Sequence, residues 1–135
     1  MTMTTVLDAS AAITAVLGNS AQSERMQGII SSSRIVVAPT LYITETANAL
    51  WKYADAGHFS QAEMVLALHR CESLITRFTQ DEEVINAAFI DACSAKHPVY
   101  DMIYVSVARD EAGTLCTLDS RLAKIAQSFG IPVFS

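Results

Sequence analysis

The sequence predicts an α/β fold of three layers, in which helices cover a parallel sheet. Three observations predict it. Short apolar or β-branched runs recur along the chain without polar alternation, as in strands buried on both faces. Longer segments with helical spacing of apolar residues separate them. Two of the runs lead straight into an aspartate, Asp8 or Asp119, that precedes a helix.

Thr5-Val6-Leu7 is the first strand and runs into Asp8. Ser10 opens a helix that continues through Leu17 and stops at Gly18-Asn19. A second helix spans Ser20 to Ile30, with Met26, Ile29 and Ile30 apolar, and Ser31-Ser32-Ser33 reads as a turn. Arg34 to Ala38 is a buried strand ended by Pro39. Thr40 is placed to cap the next helix, whose apolar stripe is Ile43, Ala47, Leu50, Trp51 and Ala54, and Gly57 ends it. Ser60 caps a helix through Val65, Leu66, Leu68 and His69. Leu74 to Phe78 is a short strand. Asp81 begins a helix with Val84, Ala88 and Cys93 that ends near His97-Pro98. Tyr100 to Glu111 is a helix apolar nearly all round, closed by Gly113. Leu115-Cys116-Thr117 is a strand leading to Asp119, followed by a helix from Arg121 to Phe129 that stops at Gly130. Ile131 to Phe134 is a last strand, which Pro132 places at a sheet edge. No repeat, low-complexity tract or linker interrupts the pattern, so residues 1–135 read as a single domain.

A chain of 135 residues, 51% hydrophobic and 17% charged, can bury a sizeable core and is not of disordered composition. No apolar run is long enough to span a bilayer, and no basic segment followed by an apolar one opens the chain, so a cytoplasmic protein is expected. Cys71, Cys93 and Cys116 are odd in number and far apart, which fits neither a disulfide framework nor a zinc site; they read as small buried apolar residues. The net charge of −5 argues against a broad basic surface that grips nucleic acid unaided. It leaves nucleic acid open as a substrate, because metal ions can bring the missing positive charge.

Most of the acidic residues read as solvated helix faces. Four have other surroundings. Asp8 and Asp119 follow strands of one parallel sheet, so both lie at the carboxyl edge, where such folds bind ligands; Asp119 is also a favourable helix N-cap. Asp101 stands at the start of the apolar helix, where it faces solvent or a site and interacts favourably with the helix dipole. Glu45 has Asn48 three residues on, hence on the same face, although alone it reads as a surface residue. Four carboxylates within a few ångströms repel one another and hold protons unless cations intervene. Oxygen ligands without clustered His or Cys select Mg²⁺ or Mn²⁺ over zinc, and that arrangement serves phosphate-ester chemistry.

Asp8-Ala9-Ser10, Pro39 with Glu45 and Asn48, Tyr100-Asp101 with Tyr104 and Ala108, and Thr117-Leu118-Asp119 with Leu122 together resemble the motifs of PIN domains. Within that family the chain is most similar to the VapC-type toxins of toxin–antitoxin modules, from the first strand to Gly130-Ile131-Pro132-Val133. The resemblance implies a PIN-like fold, a five-stranded parallel sheet flanked by helices. It implies a Mg²⁺- or Mn²⁺-dependent endoribonuclease that hydrolyses RNA phosphodiester bonds. Asp8, Glu45, Asp101 and Asp119 would be its catalytic acids and metal ligands, supported by the hydroxyls of Ser10 and Thr117 and the amide of Asn48. It also implies a homodimer and a small antitoxin protein, whose tail often places an arginine among the acids. Met102 departs from the family, which more often has a small residue there.

Two other α/β enzymes with a strand-end aspartate fit less well. A haloacid-dehalogenase-type phosphatase needs a second Asp where this chain has Ser10, and a response-regulator receiver needs an acidic pair and a late lysine that are missing. A PIN nuclease without an antitoxin, and a non-catalytic module whose acids anchor a basic partner, remain as alternatives. His58, His69 and His97 fall in different elements and read as surface or half-buried residues. Trp51 reads as core or dimer contact, and Arg121 and Lys124 as solvated residues able to touch a phosphate backbone.

Overall fold

The computed structural model describes residues 3–135. Its chain order is β1 (Thr4–Leu7), α1 (Ala9–Leu17), α2 (Ala21–Ser32), β2 (Ile35–Pro39), α3 (Leu41–Asp55), α4 (Gln61–Ser73), β3 (Arg77–Thr79), α5 (Asp81–Ala95), α6 (Val99–Asp110), β4 (Thr114–Cys116), α7 (Ser120–Ser128) and β5 (Val133–Phe134). The strands form one sheet in the order β3-β2-β1-β4-β5, and every pairing is parallel. Helices flank it, as expected of a parallel sheet whose strands carry Val, Ile and Leu without alternation. No described helix is long and apolar enough to cross a membrane.

β1 is the central strand, and Val6 and Leu7 are fully buried in it. The chain goes from β1 to β2 on one side and reaches β4 on the other, so the strand order reverses beside β1. Leu7 pairs with Cys116, and the Asp8 amide donates to the Cys116 carbonyl at 3.2 Å, which brings Asp8 level with Thr117. α6 packs on β1, β2 and β4, and every residue from Asp101 to Ala108 is buried.

Local departures from the sequence expectation have local causes. The third strand begins at Arg77, after the expected start at Leu74, because α4 runs on to Ser73 and Leu74 caps it. The Thr76 hydroxyl accepts from the Val36 amide at 3.0 Å, where a backbone carbonyl would stand in a regular ladder. Leu74 and Ile75 still pack against the core. α2 extends into the expected serine turn, with the Ser31, Ser32 and Ser33 hydroxyls donating to carbonyls of the last turns. α3 buries Tyr42, Thr46 and Leu50 rather than the stripe through Trp51, which is 58% exposed and not core. Tyr42 enters because its hydroxyl finds the Cys71 carbonyl at 2.7 Å. On α4 the buried positions are Met64, Ala67 and Cys71, while Val65 and Leu66 are exposed. Cys71 and Cys116 are buried and Cys93 is exposed.

Thr40 does not cap its own helix. Its hydroxyl accepts from the Asp81 amide at 3.2 Å, and the Asp81 carboxylate accepts from the Leu41 amide at 3.0 Å. Each residue therefore satisfies an unpaired amide at the start of the other's helix, tying α3 to α5 beside β2 and β3. Asp81→Ala is expected to cost about 1 kcal/mol in urea unfolding, and Thr40→Val a similar amount. The double variant should lose less than the sum by about 0.5 kcal/mol or more, since the partners share one arrangement. Strict additivity would show that the two caps are independent.

Candidate functional site

The carboxyl edge of the sheet opens into a cleft of about 370 Å³ lined by Asp8, Ser10, Glu45, Asn48, Asp101 and Asp119, together with Lys52 and Tyr104. The four acids singled out in the sequence thus come from four places: the end of β1, the second turn of α3, the first turn of α6, and the loop before α7. Asp8 and Asp101 are buried, Glu45 is half-buried and Asp119 is exposed.

Asp8 is the most constrained. Its Oδ1 accepts from the Ser10 hydroxyl at 2.7 Å and from the Ala11 amide at 3.0 Å, and its Oδ2 accepts from the Thr117 hydroxyl at 2.5 Å. The two hydroxyls are themselves oriented by backbone amides. Ser10 Oγ accepts from Leu118 at 3.0 Å, and Thr117 Oγ1 accepts from Asp119 at 3.0 Å. With both amides donating, each hydroxyl proton is left for Asp8. Ser10 and Thr117 thus tie β1 to the loop after β4. Asn48 lies on the cleft wall one turn beyond Glu45.

The other acids also divide their oxygens. Asp119 Oδ1 caps α7 by accepting from Arg121 at 2.9 Å and Leu122 at 3.3 Å, so the capping role and the cleft position coincide. Glu45 Oε1 accepts from the fully buried Tyr104 hydroxyl at 2.7 Å. Asp101 Oδ2 meets His97 Nε2 at 2.8 Å and accepts from Arg121 Nε at 3.3 Å. Asp101 Oδ1, Asp119 Oδ2 and Glu45 Oε2 accept no hydrogen bond among the described residues.

His97, Tyr104 and Arg121 are the contacts that the sequence reading did not assign. His97 is four residues before Asp101, a spacing that was available as a signal, but Pro98 lies between them and α6 starts only at Val99. Tyr104 was part of the motif without a role. Arg121 touches an acid rather than standing free in solvent, although its side chain is 64% exposed.

Burial, with a contribution from neighbouring acids, raises the proton affinities of Asp8 and Glu45. Burial pushes the Asp8 carboxyl from its ordinary 3.8 up to about 6, against the lowering effect of its three hydrogen bonds and with the Asp119 charge adding to the rise. Burial also raises Glu45, the Tyr104 hydrogen bond opposes it, and the charges of Asp8, Asp101 and Asp119 each raise it further. Glu45 thus senses all three other acids. The donor set is hard oxygen under charge repulsion, which fits a hydrated divalent cation. Among the described residues no three His, Cys, Asp or Glu side chains are placed to hold a metal ion directly.

Comparison with known proteins adds the fold. No protein-family model matches the chain, and no curated protein matches it in sequence. Among solved structures it is similar to PAE2754 from Pyrobaculum aerophilum, at 24% identity and a TM-score of 0.74 over 97% of this chain and 83% of that one. It is also similar to Mycobacterium tuberculosis VapC20, a sarcin-ricin loop cleaving toxin, at 13% identity and a TM-score of 0.70 over 90% of this chain and 94% of that one. The chain has a VapC-like fold, in agreement with the PIN-like sheet expected from its motifs.

Because the Asp8 carboxyl is raised in the folded state, its ionisation opposes folding. Its contribution to stability is greatest below about pH 4, falls as the pH rises from about 4 to 6, and levels off above; the total change is about 3 kcal/mol. Asp8→Asn removes that ionisation. In urea unfolding, the variant is expected to gain on the wild type by about 1–3 kcal/mol between pH 4 and pH 7. A wild-type-minus-variant difference that stays constant over this range would show that Asp8 ionises without penalty.

Proposed function

We propose that this protein is a Mg²⁺- or Mn²⁺-dependent endoribonuclease acting as the toxin of a toxin–antitoxin pair. The observation that carries the reading is the convergence of Asp8, Glu45, Asp101 and Asp119 on one cleft at the strand-order reversal of a parallel sheet. The VapC-like fold supports it, since VapC20 is itself a sarcin-ricin loop cleaving toxin.

Asp8, Asp101 and Asp119 would hold the ion, and Glu45 would hold a metal-bound water or a second ion. A bound Mg²⁺ or Mn²⁺ supplies Lewis-acid polarisation of the scissile phosphate and a water of lowered pKa. The chain's own residues do the rest. Ser10 and Thr117 fix the Asp8 carboxylate from behind, so that its orientation is set before substrate arrives. Tyr104 holds one Glu45 oxygen and leaves Oε2 to orient the attacking water. His97 and Arg121 occupy Oδ2 of Asp101 and leave its Oδ1 without a hydrogen bond among the described residues. Asn48 and Lys52 line the substrate side.

Exposed Trp51, Tyr53, Val65 and Leu66 on α3 and α4 give a homodimer an apolar surface to bury. The Arg121–Asp101 contact supports inhibition by an antitoxin arginine, because an acid of this cleft already accepts a guanidinium.

Purified protein is expected to cleave RNA only with Mg²⁺ or Mn²⁺ present. Asp101→Asn should lower cleavage by more than the roughly 100-fold that loss of a ligand's supporting partner can cost. Full activity in that variant would contradict the assignment. A basic-partner module without catalysis would instead give binding and no cleavage at any metal concentration.

Binding of the ion should also register without activity. At a free Mg²⁺ concentration ten times its Kd, the wild type should gain about 1.4 kcal/mol of stability. The gain should vanish in an Asp8→Asn, Asp101→Asn double variant. An equal rise in both melting temperatures would place the ion elsewhere.

A further inference from the structure

The acid cleft does not stand alone at the sheet edge. A second depression of about 600 Å³ adjoins it and shares Asp119 with it. Its walls are one face of α2, carrying Gln22 and Arg25, and one face of α7, carrying Ser120, Lys124 and Gln127. Its floor is the Thr117-Leu118-Asp119 loop. Asp119 is the one acidic side chain on its lining, whereas four acids line the cleft next to it.

The whole chain carries 14 acidic side chains against 9 basic ones. Arg77 and Arg109 are paired with Glu111 and Asp91 on other surfaces. Arg121 is paired with Asp101; of the basic side chains that form no ion pair among the described residues, Arg25 and Lys124 line this groove. Two cations on facing helices beside a candidate phosphodiesterase centre, with one acidic side chain on the same lining, suit a polyanion whose next phosphate lies there.

Resting on the nuclease reading above, we infer that the Arg25–Lys124 groove is a subsite for the RNA nucleotide flanking the scissile phosphate. Arg25 and Lys124 hold its phosphate. The lining has no aromatic side chain, so the base is not stacked on protein; the carboxamides of Gln22 and Gln127 supply the donors and acceptors that read base edges. A single strand, whose bases are free of pairing, is the form of RNA such a groove would take.

The test is binding of a fluorescein-labelled single-stranded oligoribonucleotide, followed by anisotropy over a salt series with Mg²⁺ present. It is run in an Asp8→Asn background so that the RNA stays intact. Arg25→Gln with Lys124→Gln should weaken binding about tenfold and lower the slope of log affinity against log salt by about 1.4, the value for two phosphate contacts on a single strand. Arg25→Lys with Lys124→Arg should restore both. Arg70→Gln on α4, exposed and outside both depressions, should change neither. Cleavage by the otherwise wild-type chain is measured in parallel. If that chain cleaves RNA but the Gln pair leaves affinity and slope unchanged, or Arg70→Gln lowers them equally, the subsite is overturned and the nuclease reading stands. If the wild-type chain neither binds nor cleaves RNA, both fall.

Discussion

The structure depends on a buried anion at the end of its central strand. Asp8 ends β1 with three hydrogen bonds and little water, and its carboxyl is pushed to about 6 despite them. A protein gains nothing in stability from such a group at neutral pH, and replacement by an amide is expected to help the fold. Its neighbours are arranged to hold the charge. Ser10 and Thr117 are oriented by backbone amides so that both hydroxyl protons point at Asp8. That outlay is understandable if the charged form is the working form, kept ready for a cation.

The same constraint shapes what surrounds it. The strand order reverses beside β1, so the loop after β4 lies alongside Asp8 and brings Asp119 to the same edge. α6 is buried along most of its length, which fixes Asp101 at its start and Tyr104 one turn on, against Glu45. The remaining acids are each restrained through one oxygen and leave the other free. Restraint from behind and freedom in front let carboxylates present themselves to an ion without collapsing onto protein donors. The Arg121 guanidinium on Asp101 partly offsets the crowding.

What the sequence disclosed follows from what each signal depends on. Strand-end acids were legible because a buried run followed by a charge has few explanations, and a parallel sheet places all such ends on one edge. Ser10 and Thr117 were legible through the motif. The third strand was misplaced because Leu74 and Ile75 look like strand residues but pack as the exit of α4, and only the Thr76 hydroxyl marks where the ladder starts. Of the two readings of Trp51, core and dimer contact, its exposure removes the first, because hydrophobicity alone cannot tell a buried stripe from an exposed one; Tyr42 takes the core position through a hydrogen bond made 29 residues away. The Arg121 contact to Asp101 arises from how α6 and α7 approach, which no local spacing encodes, whereas His97 stands four residues before Asp101 with Pro98 and the start of α6 between them.

The central claim is that Asp8, Glu45, Asp101 and Asp119 together form one cation site on an otherwise ordinary α/β scaffold. Paramagnetic broadening of assigned side-chain carboxyl resonances by substoichiometric Mn²⁺ tests it most directly. The account predicts that these four signals broaden first and together, ahead of exposed acids such as Glu63 and Glu82. Broadening that spreads evenly over the surface acids, or that spares Asp8 and Asp101, would contradict it.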